Sequence, residues 1–170
     1  YLREKVLLFL TVNNIEKKLL SSKGIKFATV INDLEEYYEN RLIREEVHST
    51  VKGVDYGIMG GFYTFKEVVD NLDLMAKTYP NLISVKQSIG KSNEDRDIWM
   101  VKISDNSNSD EDEPEVLYTS LHHAREPEGM MALLYYMWHL LENYGKDTEA
   151  TYLVDERELY FVPVVNPDGY

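Results

Sequence analysis

Hydrophobic and polar positions change their spacing along this 170-residue chain, and each change marks an element. Residues 6–12 form an apolar, β-branched run and 25–31 form another, so both read as strands. Between them Asn14 is placed to cap a short helix over 15–23, with Gly24 just past its end. Asn32 or Asp33 caps a second helix with Leu34, Tyr37, Tyr38 and Leu42 on its apolar face. Residues 1–46 therefore predict a small β-α-β-α unit. From 47 to 61 the period vanishes, and Gly53, Gly57, Gly60 and Gly61 punctuate isolated apolar residues. That composition predicts an exposed linker open to proteolysis.

A second pattern runs over 62–170. Thr64 and Glu67 have capping-box spacing, and Phe65, Val68, Val69, Leu72, Met75 and Ala76 form one helical face that Pro80 ends. Strands are expected at 82–89 and 97–103, paired across the polar turn 91–96, and again at 116–121 and 158–165. A buried helix is expected over 127–144, with Pro127 at its first position and Gly145 after its end. Asn166-Pro167-Asp168-Gly169 has the chemistry of a tight turn, in which Pro sets φ and Gly relieves strain. The fold class is α/β, a mixed sheet flanked by helices.

Composition narrows the functions. Hydrophobic residues make up 44% of the chain, enough for a packed core, so wholesale disorder is excluded. A net charge of −12 argues against nucleic acid and against an anionic membrane as partners. With no cysteine, any metal must be held by His, Asp or Glu. The run 6–10 is too short to span a membrane, and no small-residue cleavage pattern follows it, so a strand fits better than a signal peptide. A chain that opens at Tyr1 rather than Met reads as an excised piece of a longer protein.

Four histidines are available: His48, His122, His123 and His139. His123 and Glu126 stand three apart at the junction of a buried strand and a helix, where α/β sheets place their sites. An imidazole and a carboxylate at that spacing can face one zinc ion, which accepts N and O ligands. The same spacing has a bland reading, a hydrogen-bonded helix N-terminus capped by Glu126. His139 and Glu142 repeat it inside the helix, where a helix-end His and a solvated Glu are expected. Asp110, Glu111, Asp112, Glu113 and Glu115 lie in an acidic loop over 104–114 and just beyond it. They offer the hard oxygen donors of a calcium site, or else a solvated charged loop.

Leu121-His122-His123-Ala124-Arg125-Glu126 resembles the first zinc signature of the M14 metallocarboxypeptidases of the carboxypeptidase A and T type. Ser88-Ile89-Gly90-Lys91-Ser92, the segment from Asp97 to Ser104, and Asn166-Pro167-Asp168-Gly169 follow in the family's order. The resemblance runs from about residue 61 to residue 170, and is nearest to bacterial carboxypeptidase T-like enzymes. It implies zinc held by His123 and Glu126, Arg125 binding substrate, and hydrolysis of C-terminal bonds of peptides or proteins. His122 matches no family role and is expected to be structural. The family's third His ligand, its carboxylate clamp and its general-base Glu would lie beyond Tyr170, so the chain alone is expected to be inactive.

Residues 1–46 resemble the end of a pro-segment more loosely, which implies a secreted zymogen with its catalytic part at 62–170. Two other readings stay open: a zinc acyl-hydrolase of the aspartoacylase or desuccinylase type, and a non-catalytic binding module of the same fold. A sheet cut short would also expose a strand edge for self-association.

Overall fold

The computed structural model describes residues 8–34, 36–37 and 51–170. Two compact units, Tyr1–Arg41 and Leu42–Tyr170, divide the chain.

In the first unit α1 spans Asn14–Ser22. Its cap is Asn13, one residue before the expected Asn14: Asn13 accepts the N–H groups of Ile15 and Glu16, and Glu16 reaches back to the Asn13 N–H at 2.8 Å. Either asparagine could serve as a cap, and the glutamate three residues after Asn13 decides between them. Gly24 follows the helix at φ 70°, as expected. The two predicted strands are not formed at 8–12 or 25–31, and residues 1–7 lie outside the described residues. A strand needs a hydrogen-bonding partner and a face to cover. Here Leu8, Phe9 and Val30 are exposed and α1 buries no residue. Asp33 accepts the Glu36 N–H as a helix cap would, while Tyr38 and Leu42 lie outside the described residues.

The second unit is a four-stranded mixed sheet with helices packed on it. Helix α2 spans Phe65–Thr78 and carries the expected Thr64–Glu67 capping box. Strand β1 (Gln87–Lys91) pairs antiparallel with β2 (Asp97–Ile103), and β3 covers Glu115–Thr119. Helix α3 runs over Pro127–Asn143, α4 over Thr148–Asp155, and β4 over Glu158–Val162. The sheet order is β1-β2-β4-β3, with β4 antiparallel to β2 and parallel to β3.

The central strands bury Val101, Ile103, Leu159 and Phe161. Against them α2 contributes Val68, Leu72 and Met75, and α3 contributes Met130, Leu134 and Met137. Tyr136 of α3 packs on Phe161 and meets Tyr118 of β3 edge-on, which fixes α3 over the parallel end of the sheet.

Several boundaries differ from expectation. The first strand starts at Gln87 because Ile83 makes only an isolated bridge to Ile103, and the Ser84 hydroxyl, not a backbone carbonyl, accepts the Lys102 N–H. Strand β3 stops before Leu121, which is left-handed at φ 50°. Strand β4 stops before Pro163, which has no N–H for a ladder. Helix α4 was not anticipated; Asp147 caps it, but it is short and buries only Ala150 and Val154.

Within residues 51–61, expected as exposed linker, Val51 and Gly57 are buried while the rest is half-buried or exposed, Ile58 at 82%. Val51 is 1% exposed, and Glu142 accepts the N–H groups of Lys52 and Gly53. A Cβ on Gly53 would sit 2.0 Å from the Trp138 ring, so this glycine permits close approach rather than flexibility.

Candidate metal centre

The strand-to-helix junction is built around a backbone reversal. After β3 the chain turns through the buried, left-handed Leu121, and His122 to Glu126 form the exposed turn that leads into α3. The His123 Nδ1 lies 3.2 and 3.3 Å from the two carboxylate oxygens of Glu126. Glu126 stands at the N-cap position of α3 and makes no side-chain cap hydrogen bond, so it does not cap the helix, while its carboxylate lies within hydrogen-bond distance of His123. Both side chains face solvent, at 80% and 70% exposure.

The donor set fits a zinc ion. Two ligands bonded to one tetrahedral zinc at about 2.0–2.1 Å stand about 3.3–3.4 Å apart. The observed separations match that edge, and a nitrogen with a carboxylate oxygen is the chemistry zinc accepts. Among the described residues no third His, Asp or Glu ligand atom joins this pair. His48 lies outside the described residues. Arg125, between the two, is exposed in the same turn.

The Asn166–Gly169 turn lies directly against this junction. Asn166 donates its backbone N–H to the Leu121 carbonyl at 3.1 Å and its side-chain N–H to the His122 carbonyl at 3.2 Å. The Val165 N–H reaches the Ser120 carbonyl at 3.1 Å. His122 thus enters the site through its backbone carbonyl. Gly169 does not take the strain-relieving role expected of it, since it is absent from the left-handed region. A Cβ there would instead meet Asn166 Nδ2 at 2.8 Å and Ala124 Cβ at 3.0 Å. Space is what the glycine provides.

On its far side the turn is held by Asp168, which accepts the Ser92 hydroxyl at 2.6 Å, the Glu94 N–H at 3.0 Å and the Arg96 guanidinium at 2.6 Å. The Ser92 hydroxyl first, then the Glu94 N–H and Arg96, hold its carboxyl below the usual range against an opposing effect of burial.

The second His-x-x-Glu pair does other work. Glu142 is not solvated but binds the Lys52 and Gly53 backbone, and His139 stacks on Tyr135.

The acidic loop does not form one cluster. Glu111 and Glu113 gather with Asp105, whereas Asp110 and Glu115 gather with Glu158, the ligand atoms of each group lying within 4.8 Å of one another. Asp112 joins neither group. Asp105 and Glu158 were not among the sequence candidates, and Glu158 is 43 residues from its nearest loop partner, so no local spacing signals it. One carboxylate oxygen each of Glu111 and Glu113 is buried with no hydrogen-bond partner. Burial first, then the charges of Glu111, Asp105, Glu156 and Glu158, push the Glu113 carboxyl up. Burial also raises Glu158, but the Lys102 ammonium at 2.6 Å, the Tyr160 hydroxyl and the Glu111 N–H together bring it below the usual range.

Comparison with known proteins follows the same lines. Residues 68–170 match the family model described as zinc carboxypeptidase. A zinc carboxypeptidase from Saccharothrix mutabilis subsp. capreolus is 41% identical over 109 residues, covering 64% of this chain and 25% of that protein. Carboxypeptidase A2 of Mus musculus is 29% identical over 157 residues, covering 91% of this chain and 36% of that protein. The crystal structure of the carboxypeptidase A from Helicoverpa armigera superposes with a TM-score of 0.64 at 26% identity, covering 92% of this chain and 37% of that one. The chain therefore spans between a quarter and two fifths of the length of these relatives. With its mixed sheet, its His-x-x-Glu junction and a family match over more than half its length, this chain belongs to the zinc carboxypeptidase family.

Proposed function

We propose that the protein carrying this chain is a zinc-dependent metallocarboxypeptidase that hydrolyses the C-terminal bond of peptides or proteins, with His123 and Glu126 as two of its zinc ligands. The observation that carries this reading is the family match over residues 68–170, within which His123 and Glu126 bring an imidazole nitrogen and a carboxylate to 3.2 and 3.3 Å of one another at the strand-to-helix junction. Zinc in such a site supplies Lewis acidity toward a carbonyl and lowers the pKa of bound water. The residues of this chain hold and orient: the turn after β3 presents both ligands, and Arg125 offers a guanidinium to a substrate carbonyl or carboxylate. Two ligands do not make the three-point cage of a catalytic zinc, so the 170-residue chain alone holds the ion weakly and hydrolyses nothing.

The test is a chromogenic C-terminal peptide substrate with the full-length protein, the isolated chain, and full-length His123→Ala and Glu126→Ala. Turnover that is chelator-sensitive in the full-length protein and at background in both variants is the expected result. Chelator-sensitive turnover by the isolated chain, lost in its own His123→Ala, would overturn the inactivity of the isolated chain, and turnover retained in full-length His123→Ala would place the active site elsewhere.

Residues 1–46 are read as the remainder of a pro-region, and zymogen processing and secretion follow from that reading. In support, the alignment to the mouse carboxypeptidase A2 reaches well ahead of the catalytic part. Calcium is proposed as a second cofactor at the acidic loop. Its support is the pair of carboxylate oxygens of Glu111 and Glu113 that are buried without a partner. Self-association of the isolated chain through β3 is also proposed, since β3 ends the sheet order and Leu117 on it is 63% exposed.

A further inference from the structure

We propose that Asn166 is a positioning residue for the metal-bearing turn, holding the His123 and Glu126 side chains in register through the backbone of Leu121 and His122. This rests on the reading of His123 and Glu126 as zinc ligands.

Leu121 is the point of weakness in that turn. A branched, bulky residue at φ 50° is held away from its preferred backbone, and nothing local to its own side chain favours that state. Burial at 3% exposure fixes the side chain. The two carbonyls around the reversal need separate holding, because rotation of either peptide would swing His123 away from Glu126. Asn166 supplies both donors. Its backbone N–H takes the Leu121 carbonyl and its side-chain N–H takes the His122 carbonyl, so one residue brackets the strained link from a segment 44 positions later in the chain.

The bracket is itself braced. The Asn166 Oδ1 accepts the Gly169 N–H at 3.1 Å, which orients the amide so that its nitrogen points at His122. Asp168 ties the same turn to Ser92, Glu94 and Arg96. Ala124, one residue after His123, packs where a Cβ on Gly169 would intrude. Asn166 touches no ligand atom of the zinc pair. Its effect is on where the ligands start from, which is how groups behind metal ligands ordinarily act.

The experiment measures zinc dissociation constants by chelator competition in the full-length protein, beside the cobalt(II) absorption spectrum and the thermal midpoint of the metal-free protein. Asn166→Asp keeps the acceptor for Gly169 and loses the donor to His122. Gly169→Ala keeps Asn166 and drives a methyl into its amide. Both variants are expected to weaken zinc by about tenfold and to alter the cobalt spectrum. In the metal-free form, Asn166→Asp should still unfold cooperatively, below wild type because a carboxylate oxygen then faces the His122 carbonyl. If Asn166→Asp fails to fold, Gly169→Ala decides the question alone. Wild-type zinc affinity and an unchanged cobalt spectrum in the deciding variant would overturn the assignment of Asn166. Zinc affinity left unchanged by His123→Ala in the full-length protein would instead overturn the ligand reading beneath it.

Discussion

The Lys102 ammonium lies 2.6 Å from the Glu158 carboxylate, in a pair whose side chains are 8% and 0% exposed. Lys102 sits on β2 and Glu158 opens β4, so the pair bridges the two central strands at the end where the acidic loop folds over them. Removing one member leaves the other charge buried without its counter-charge, although Glu158 keeps the Tyr160 hydroxyl and the Glu111 N–H and Lys102 keeps the Ser109 carbonyl. Lys102→Met is therefore expected to destabilise the fold by about 3–5 kcal/mol, while Lys102→Met with Glu158→Leu recovers most of that loss. Urea unfolding of the two variants checks it, and a double variant no better than the single one would contradict it.

Gly53 gives a second stability test. With a would-be Cβ 2.0 Å from the Trp138 ring, Gly53→Ala must push apart the segment that Glu142 holds through the Lys52 and Gly53 N–H groups. The expected cost is about 1–3 kcal/mol, the range for overpacking a tight site. Trp138 fluorescence followed through denaturation reports the same event at its source. Unchanged stability would mean that residues 51–61 are the loose linker their composition predicts.

Asp168 sets an acid limit on the brace behind the site. Its folded carboxyl is held below the ordinary range, so its contribution is complete above the unfolded value of about 3.9 and is lost as pH falls to the depressed folded value. Asp168→Asn should melt below wild type at neutral pH, with the gap closing as pH falls through and below the unfolded value of about 3.9. Melting curves across that range test it. A gap independent of pH would show that the carboxylate charge does not matter.

Glu113 predicts a sign reversal with calcium. Its carboxyl is pushed up by burial and by surrounding acids, so the folded state binds its proton more tightly, and its ionised form costs stability as pH rises through that range. In chelator, Glu113→Gln should melt at or above wild type at neutral pH. In millimolar calcium the wild type should gain several degrees and the variant much less. No calcium shift in the wild type would end the calcium proposal.

Apart from α4, the elements of the second unit were legible because they are marked by neighbours in sequence. Thr64 and Glu67 cap α2 within one turn, and Pro127 starts α3, so propensity and periodicity sufficed. The His123–Glu126 spacing was equally local, and so was its control at His139 and Glu142. What local chemistry could not decide was pairing. Residues 8–12 and 25–31 have strand composition and form no strand, because a strand exists only against a partner. The glycines of 51–61 look like a linker, yet Gly53 is small because Trp138 comes to lie over it.

The same division holds at the candidate site. By itself the sequence singled out the His123–Glu126 pair, its place between a strand and a helix, and a turn at Asn166 to Gly169. Only the tertiary structure decided that this turn folds back onto the His122 backbone beside that pair, that Glu158 and Asp105 complete the acidic groups, and that Glu142 binds the Lys52 and Gly53 backbone. The physical reason is contact range. Hydrogen-bond spacing within a helix or turn is written in neighbouring residues, whereas a carbonyl bracketed from 44 residues away leaves no periodic trace in the chain.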